Sequence, residues 1–290
     1  MNDAEERAAE FAVLVEPLRA SLAGLLESIQ AMRTRYNTRP APDSKALREH
    51  GFNVELAGAW GDHPIESAQQ WAGVLSVVAE NHLLSICDLL ALRRPVVFST
   101  EVLGRAALEA LARSAWLSEL LIEPKERVRR WQLERLYSLK HGEHLDPKKA
   151  RREREQISLS SKVLGIPVSL KDRPSATTLF GRLFLDRGTE ASGNRLFRQQ
   201  SATTHGTIFA VVQSFIHVST DGHMEEVGIS TNAQEANELL IQLIFGLVIA
   251  TGQIAALFGW RDDDWQKQSA NALQLARSID EGSDRRSYSR

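Results

Sequence analysis

Between Phe11 and Met32 the residues Phe11, Val15, Leu18, Leu22, Leu25, Ile29 and Met32 recur at alternating steps of four and three. That spacing draws one apolar line down a helix of about 3.6 residues per turn, and it cannot be laid on a strand, whose faces alternate at every residue. The chain therefore opens with a long amphipathic helix over about 3–35. Its seam has to be covered, either by the rest of the chain or by a second helix in a short dimeric coil.

The punctuation downstream repeats the helical message. Residues 36–63 hold Pro40, Pro42 and three glycines and predict a loop, with Phe52 and Trp60 pinning it to the core. Helical periodicity resumes from Pro64 to Arg94 and stops before Pro95. The Ser99-Thr100-Glu101 cluster predicts the start of a helix reaching Ile122. Pro124 opens another to about Lys140, and Asp146-Pro147 repeats that start for a charged helix to about Ser161. Ser175 begins a short helix to about Leu185, and a further helix is expected over Asn194–His217. Val218–Thr231, with Asp221-Gly222 at its centre, reads as a hairpin or an ordered loop. Leu239–Phe258 is strongly apolar but contains Gln242, Thr251 and Gln253 and follows Glu235 and Glu238, which predicts a central buried helix rather than a membrane span. A last helix covers Asp262–Ile279. The expectation is an all-α multi-helix bundle with at most a small β-hairpin. It divides into an N-terminal helix and loop (1–63), a bundle core (64–280) and a frayed polar tail (281–290).

Composition narrows the chemistry. With 35 Lys and Arg against 37 Asp and Glu, the net charge of -2 argues against a surface built wholly for nucleic acid. One cysteine, Cys87, excludes an internal disulfide and any multi-cysteine metal site, and its apolar surroundings predict an inert core thiol. The acidic N-terminus is unlike a secretory signal, so a cytoplasmic protein without a membrane partner is expected. The eight histidines show no metal-pair spacing, no glycine-rich phosphate loop occurs, and no cofactor is expected.

Two constellations carry candidate chemistry. On a helix Arg198 and His205 lie within roughly 20° of each other, with Ser201 one turn below His205 and Gly206 removing a side chain beside it. Such a stripe can grip a phosphate and move a proton, or it can be a polar seam between packed helices; the residues leave both open. Arg105, Glu109 and Arg113 fall at consecutive spacings of four on an otherwise apolar helix. They form either an Arg–Glu–Arg ladder holding the bundle in register or an arginine pair facing an anion. The segment Lys125–Lys162 is rich in both signs and reads as a solvated helix pair, with a modest positive excess that could track an RNA backbone.

Arg198, six intervening residues and His205, in an all-α setting, resemble the HEPN superfamily of toxin and defence ribonucleases, over roughly residues 70–260. The Arg105-Ala-Ala-Leu-Glu109 helix is similar to one in bacterial proteins near that group. Gln199 stands where the family commonly has Asn, Asp or His. The resemblance implies metal-independent RNA cleavage at a site shared across a homodimer. In it His205 is the acid or base, Arg198 stabilises the phosphorane, Ser201 orients the phosphate and Glu109 positions an arginine. The Phe11–Met32 seam is then a candidate for dimerisation or for a protein partner. The alternative is a non-catalytic helical module that recognises a protein or a small anionic ligand.

Overall fold

In the computed structural model, residues 3–56, 61–92, 97–142, 144, 146–184 and 233–287 are described. Helix α1 spans Asp3–Tyr36, α2 Lys45–Glu49, α3 Asn53–Leu56, α4 Pro64–Leu90, α5 Val97–Ser118, α6 Pro124–Gly142, α7 Pro147–Leu164, α8 Ala176–Leu183, α9 Ala233–Phe258 and α10 Asp263–Ser287. No strand occurs among the described residues, and the fold is all-α. The helix expected over 194–217, the hairpin over 218–231 and Trp60 lie outside the described residues.

The heptad seam is covered from within. Phe11, Val15, Leu18, Leu22, Leu25, Ile29 and Met32 are all buried, because α1 packs against α4, α9 and α10. The N-terminal helix therefore shares one core with the bundle, and its outward surface is left to side chains such as Val13 and Leu14. Pro17 interrupts the hydrogen-bond ladder where it and Val13 are both exposed, so the Val13 carbonyl that loses its donor can turn to water.

Helix α9 is the central element. It packs on α5, α1 and α10, and residues from Leu239 to Phe258 form much of the core. Both α4 and α9 are long and apolar enough to cross a bilayer by length and composition alone. Glycines let α5 and α9 approach closely: a Cβ at Gly104 would lie 2.7 Å from Leu239, and one at Gly246 would lie 2.7 Å from Leu108. Gly259 ends α9 in the left-handed region (φ +69), with Trp260 N–H returning to the Ala255 carbonyl at 2.8 Å. That turn joins the ends of α1 and α9. Tyr36 stacks on Trp260, and the Trp260 indole donates to the Arg39 carbonyl at 2.7 Å.

Cap chemistry sets the boundaries that the sequence foretold. The Asp146 carboxylate accepts from Lys149 N–H, and the Ser175 hydroxyl accepts from Thr178 N–H, each at the start of its helix. Three expectations need correction. Residues 36–63 are not a plain loop: they contain α2, a 3-10 turn at His50–Phe52 and α3. Phe52 is exposed rather than pinned, and Ala46 and Leu56 anchor the segment instead. Helix α10 continues to Ser287, past the end expected near Ile279.

Charges buried beneath these helices are paired. Glu80 of α4 accepts from Arg33 of α1 and from the Ser76 hydroxyl at 3.0 Å. Burial nonetheless pushes the Glu80 carboxyl above the ordinary carboxylate value of 4.5, against the pull of Arg33 and Ser76. The folded state thus holds this proton more tightly than the unfolded chain does. Its contribution is complete below the unfolded pKa and is lost as pH rises through the folded one. The parent should therefore gain stability relative to Glu80→Gln as pH falls from neutral to mildly acid, read by urea unfolding. A gap that does not change with pH would contradict this.

Cys87 is buried, and burial raises its thiol to about 11, in keeping with an inert core side chain.

Candidate functional site

Arg198, Ser201 and His205 lie outside the described residues. Arg105, Glu109 and Arg113 fall on α5, as their spacing required. The ladder expected among them is not how Arg113 is paired. Arg113 turns to α6, where its Nε donates to Glu134 Oε2 at 2.7 Å and its Nη2 makes a second contact to the same oxygen. No ion pair among the described residues includes Glu109.

Glu134 is fully buried and has a second arginine on its other oxygen. Arg173 Nε donates to Glu134 Oε1 at 2.8 Å, from the stretch between the 3-10 turn at Leu170–Asp172 and α8. The segment leading into that stretch is held on α6 by Arg129, which reaches the Pro167 carbonyl and Asp172, the latter at 2.9 Å. One helical turn from Glu134, the Tyr137 ring lies under both guanidiniums, with Arg173 3.8 Å and Arg113 5.9 Å from its centroid. Two arginines therefore surround one carboxylate, leaving a net positive charge in a low-dielectric place. Arg173 is 6% exposed at its side chain, and its Nη2 is buried without a hydrogen-bond partner. The cluster can hold helices together, and its surplus charge favours an anion beside it.

Charge composition alone presents α6 and α7 as a solvated pair and gives no sign of Glu134. For α6 this is overturned: Arg127, Arg130, Gln132 and Glu134 are all buried. Arg127 clasps Glu49 of α2, with Nε to Oε2 at 2.8 Å and Nη2 to Oε1 at 2.9 Å. Arg130 contacts Glu119 and Glu126 and lies over the Trp116 ring, 5.1 Å from its centroid. The spacing of Arg127, Arg130 and Glu134 at three and four residues was the available signal, because it puts them on one helix face. These pairings remove most of α6 from any RNA-backbone track. Lys148, Lys149 and Arg152 of α7 stay exposed and outside the ion pairs found among the described residues.

A groove of about 650 Å³ opens between α4, α6 and α7. Trp71, Val74, Trp131 and Leu139 give it an apolar wall, and Arg135 lies over Trp131 while pairing with Glu153 at 3.1 Å. Asp146, which caps α7, and Lys149 put one negative and one positive charge at its rim, and neither belongs to an ion pair found among the described residues.

Compared with protein-family models, curated proteins and solved structures, the chain matches none.

Proposed function

We propose that this protein is a HEPN-like, metal-independent endoribonuclease acting in the cytoplasm as a homodimer, in a defence or stress response. The observation that carries the reading is the Arg198–His205 pair, with six residues between them and Gly206 adjacent, in an all-α chain. In the reaction a ribose 2′-hydroxyl loses its proton to a base and attacks the adjacent phosphorus. The P–O5′ bond breaks, giving a 2′,3′-cyclic phosphate, and the departing oxygen takes a proton to become a 5′-hydroxyl. His205 serves as base or acid, and Arg198 offers its planar fork to the phosphorane oxygens, with Ser201 orienting the phosphate. Proton transfer by a placed imidazole contributes about a hundredfold or more. His205→Ala and Arg198→Ala should each lower RNA cleavage by about that factor while circular dichroism stays unchanged. Cleavage by both variants at the parent rate would remove the reading.

A second reading is favoured by one observation, the excess of cation over anion where Arg113 and Arg173 meet Glu134. In it the chain is a non-catalytic helical module for a small anionic ligand, and Arg105, Glu109 and Arg113 belong to its framework. Titration calorimetry with inorganic phosphate and with RNA separates the two readings: the module binds without cleaving.

A further inference from the structure

The groove between α4, α6 and α7 is bounded by one heptad from each helix. Ser67, Trp71 and Val74 stand on one face of α4, at steps of four and three. Trp131, Arg135 and Ser138 repeat that spacing on α6, and Asp146, Lys149 and Glu153 reverse it on α7. Each set spans about 10 Å of helix. Ile65 and Val128, just ahead of the groove on α4 and α6, share one small apolar cluster, so these two helices run alongside in the same direction. Arg135 pairs with Glu153, and α7 returns antiparallel to α6. Trp71, Val74, Trp131 and Leu139 make the walls apolar. Val74 is 48% exposed, and Val78, one turn further along the same face of α4, is 42% exposed. The exposed Asn81 then ends the apolar run.

The two lips of the groove differ in charge. On α7, Asp146 and Lys149 offset each other one turn apart, and Glu153 is taken by Arg135. Arg152 and Lys148 follow Lys149 around that helix, away from the buried Ala150. Both are exposed and outside the ion pairs found among the described residues. The α4 lip carries the neutral Gln70. One side therefore has a surplus of positive charge and the other has none. We propose that the groove docks an amphipathic helix of a partner protein, about three turns long. Its apolar residues at i, i+3 or i+4 and i+7 lie against Trp71, Val74 and Leu139, and its acidic flank lies against Arg152 and Lys148. Three heptads around one vacancy match a fourth helix, as in a four-helix bundle. Aliphatic Val74, Val78 and Leu139 suit side chains rather than stacked bases, and Arg135 already lies over the Trp131 ring. The proposal goes beyond the ribonuclease reading: neither Arg198 nor His205 enters it, and it stands if no cleavage occurs.

Fluorescence anisotropy of the full chain with a labelled, helix-stapled peptide tests it. The probe carries Leu at i, i+3, i+4 and i+7 and Glu along one flank; a second probe has Lys in place of Glu. The parent should bind the Glu probe at micromolar concentration and the Lys probe about tenfold more weakly. Val74→Gln/Val78→Gln, with unchanged circular dichroism, should weaken the Glu probe about tenfold, whereas Val13→Gln at an exposed site on α1 should not. Lys148→Glu/Arg152→Glu should reverse the preference and bind the Lys probe more tightly than the Glu probe. A parent that binds neither probe, binding indifferent to Val74→Gln/Val78→Gln, or a preference that does not reverse would each overturn the proposal. So would an RNA oligonucleotide, or a second copy of the chain, that holds these same residues and displaces the Glu probe.

Discussion

Arg127→Met should lower the free energy of unfolding by about 3–5 kcal/mol, the range expected when one partner of a buried ion pair is removed. Arg127 is among the largest fully buried side chains, and its guanidinium does three jobs at once. It holds both oxygens of Glu49, which is itself buried and also takes Gln69 Nε2 at 3.0 Å and Lys45 Nζ at 3.4 Å. It donates to the Leu117 carbonyl and, at 3.2 Å, to the Glu119 carbonyl, where α5 ends and its last acceptors lack helical donors. Methionine fills much of the volume but leaves a buried carboxylate and two backbone acceptors under-satisfied. Glu49→Leu combined with Arg127→Met should recover part of the loss, because no charge then remains to be compensated. Arg151→Met, at an exposed pair with Glu155, should change little. Urea unfolding of the four proteins checks this, and an Arg127→Met loss no larger than that of Arg151→Met would contradict it.

Glu134→Ala should cost a similar amount, about 3–5 kcal/mol, for the opposite reason. Here the carboxylate is removed, and the Arg113 and Arg173 guanidiniums are left facing each other over Tyr137. The repulsion should be relieved by an added anion. Sulfate should therefore raise the melting temperature of Glu134→Ala by more than it raises that of the parent, beyond the general stabilisation sulfate gives by exclusion from protein surfaces. Equal salt responses would mean that the two arginines do not act as a pair.

What could be read from the chain divides along the range of the interaction. Helix starts at Pro124, Asp146-Pro147 and Ser175 were legible because capping involves residues only a few positions apart. The Phe11–Met32 line was legible as a helix because periodicity is local, whereas its covering by α4, α9 and α10 needed the fold. Phe52 and Leu56 show the limit within one short segment. Both are apolar, and only the turn from the 3-10 helix into α3 decides which one faces inward. The buried charges of α6 were the least legible. The partner of Arg127 is 78 residues away and that of Arg113 is 21 away, so composition alone makes α6 look solvated. For the candidate site, spacing correctly set Arg105, Glu109 and Arg113 on one helix. It could not supply Glu134 and Arg173, which tertiary packing brings to Arg113.

The reading of Arg198 and His205 as an RNA-cleaving pair meets its most direct trial with two oligonucleotides in excess chelator: one all-ribose, the other lacking a 2′-hydroxyl at the cleaved linkage. The account predicts that the parent cuts only the first, leaving 2′,3′-cyclic phosphate and 5′-hydroxyl ends, and that His205→Ala cuts neither. An intact ribose strand, or scission that survives loss of the 2′-hydroxyl or of the imidazole, would contradict it.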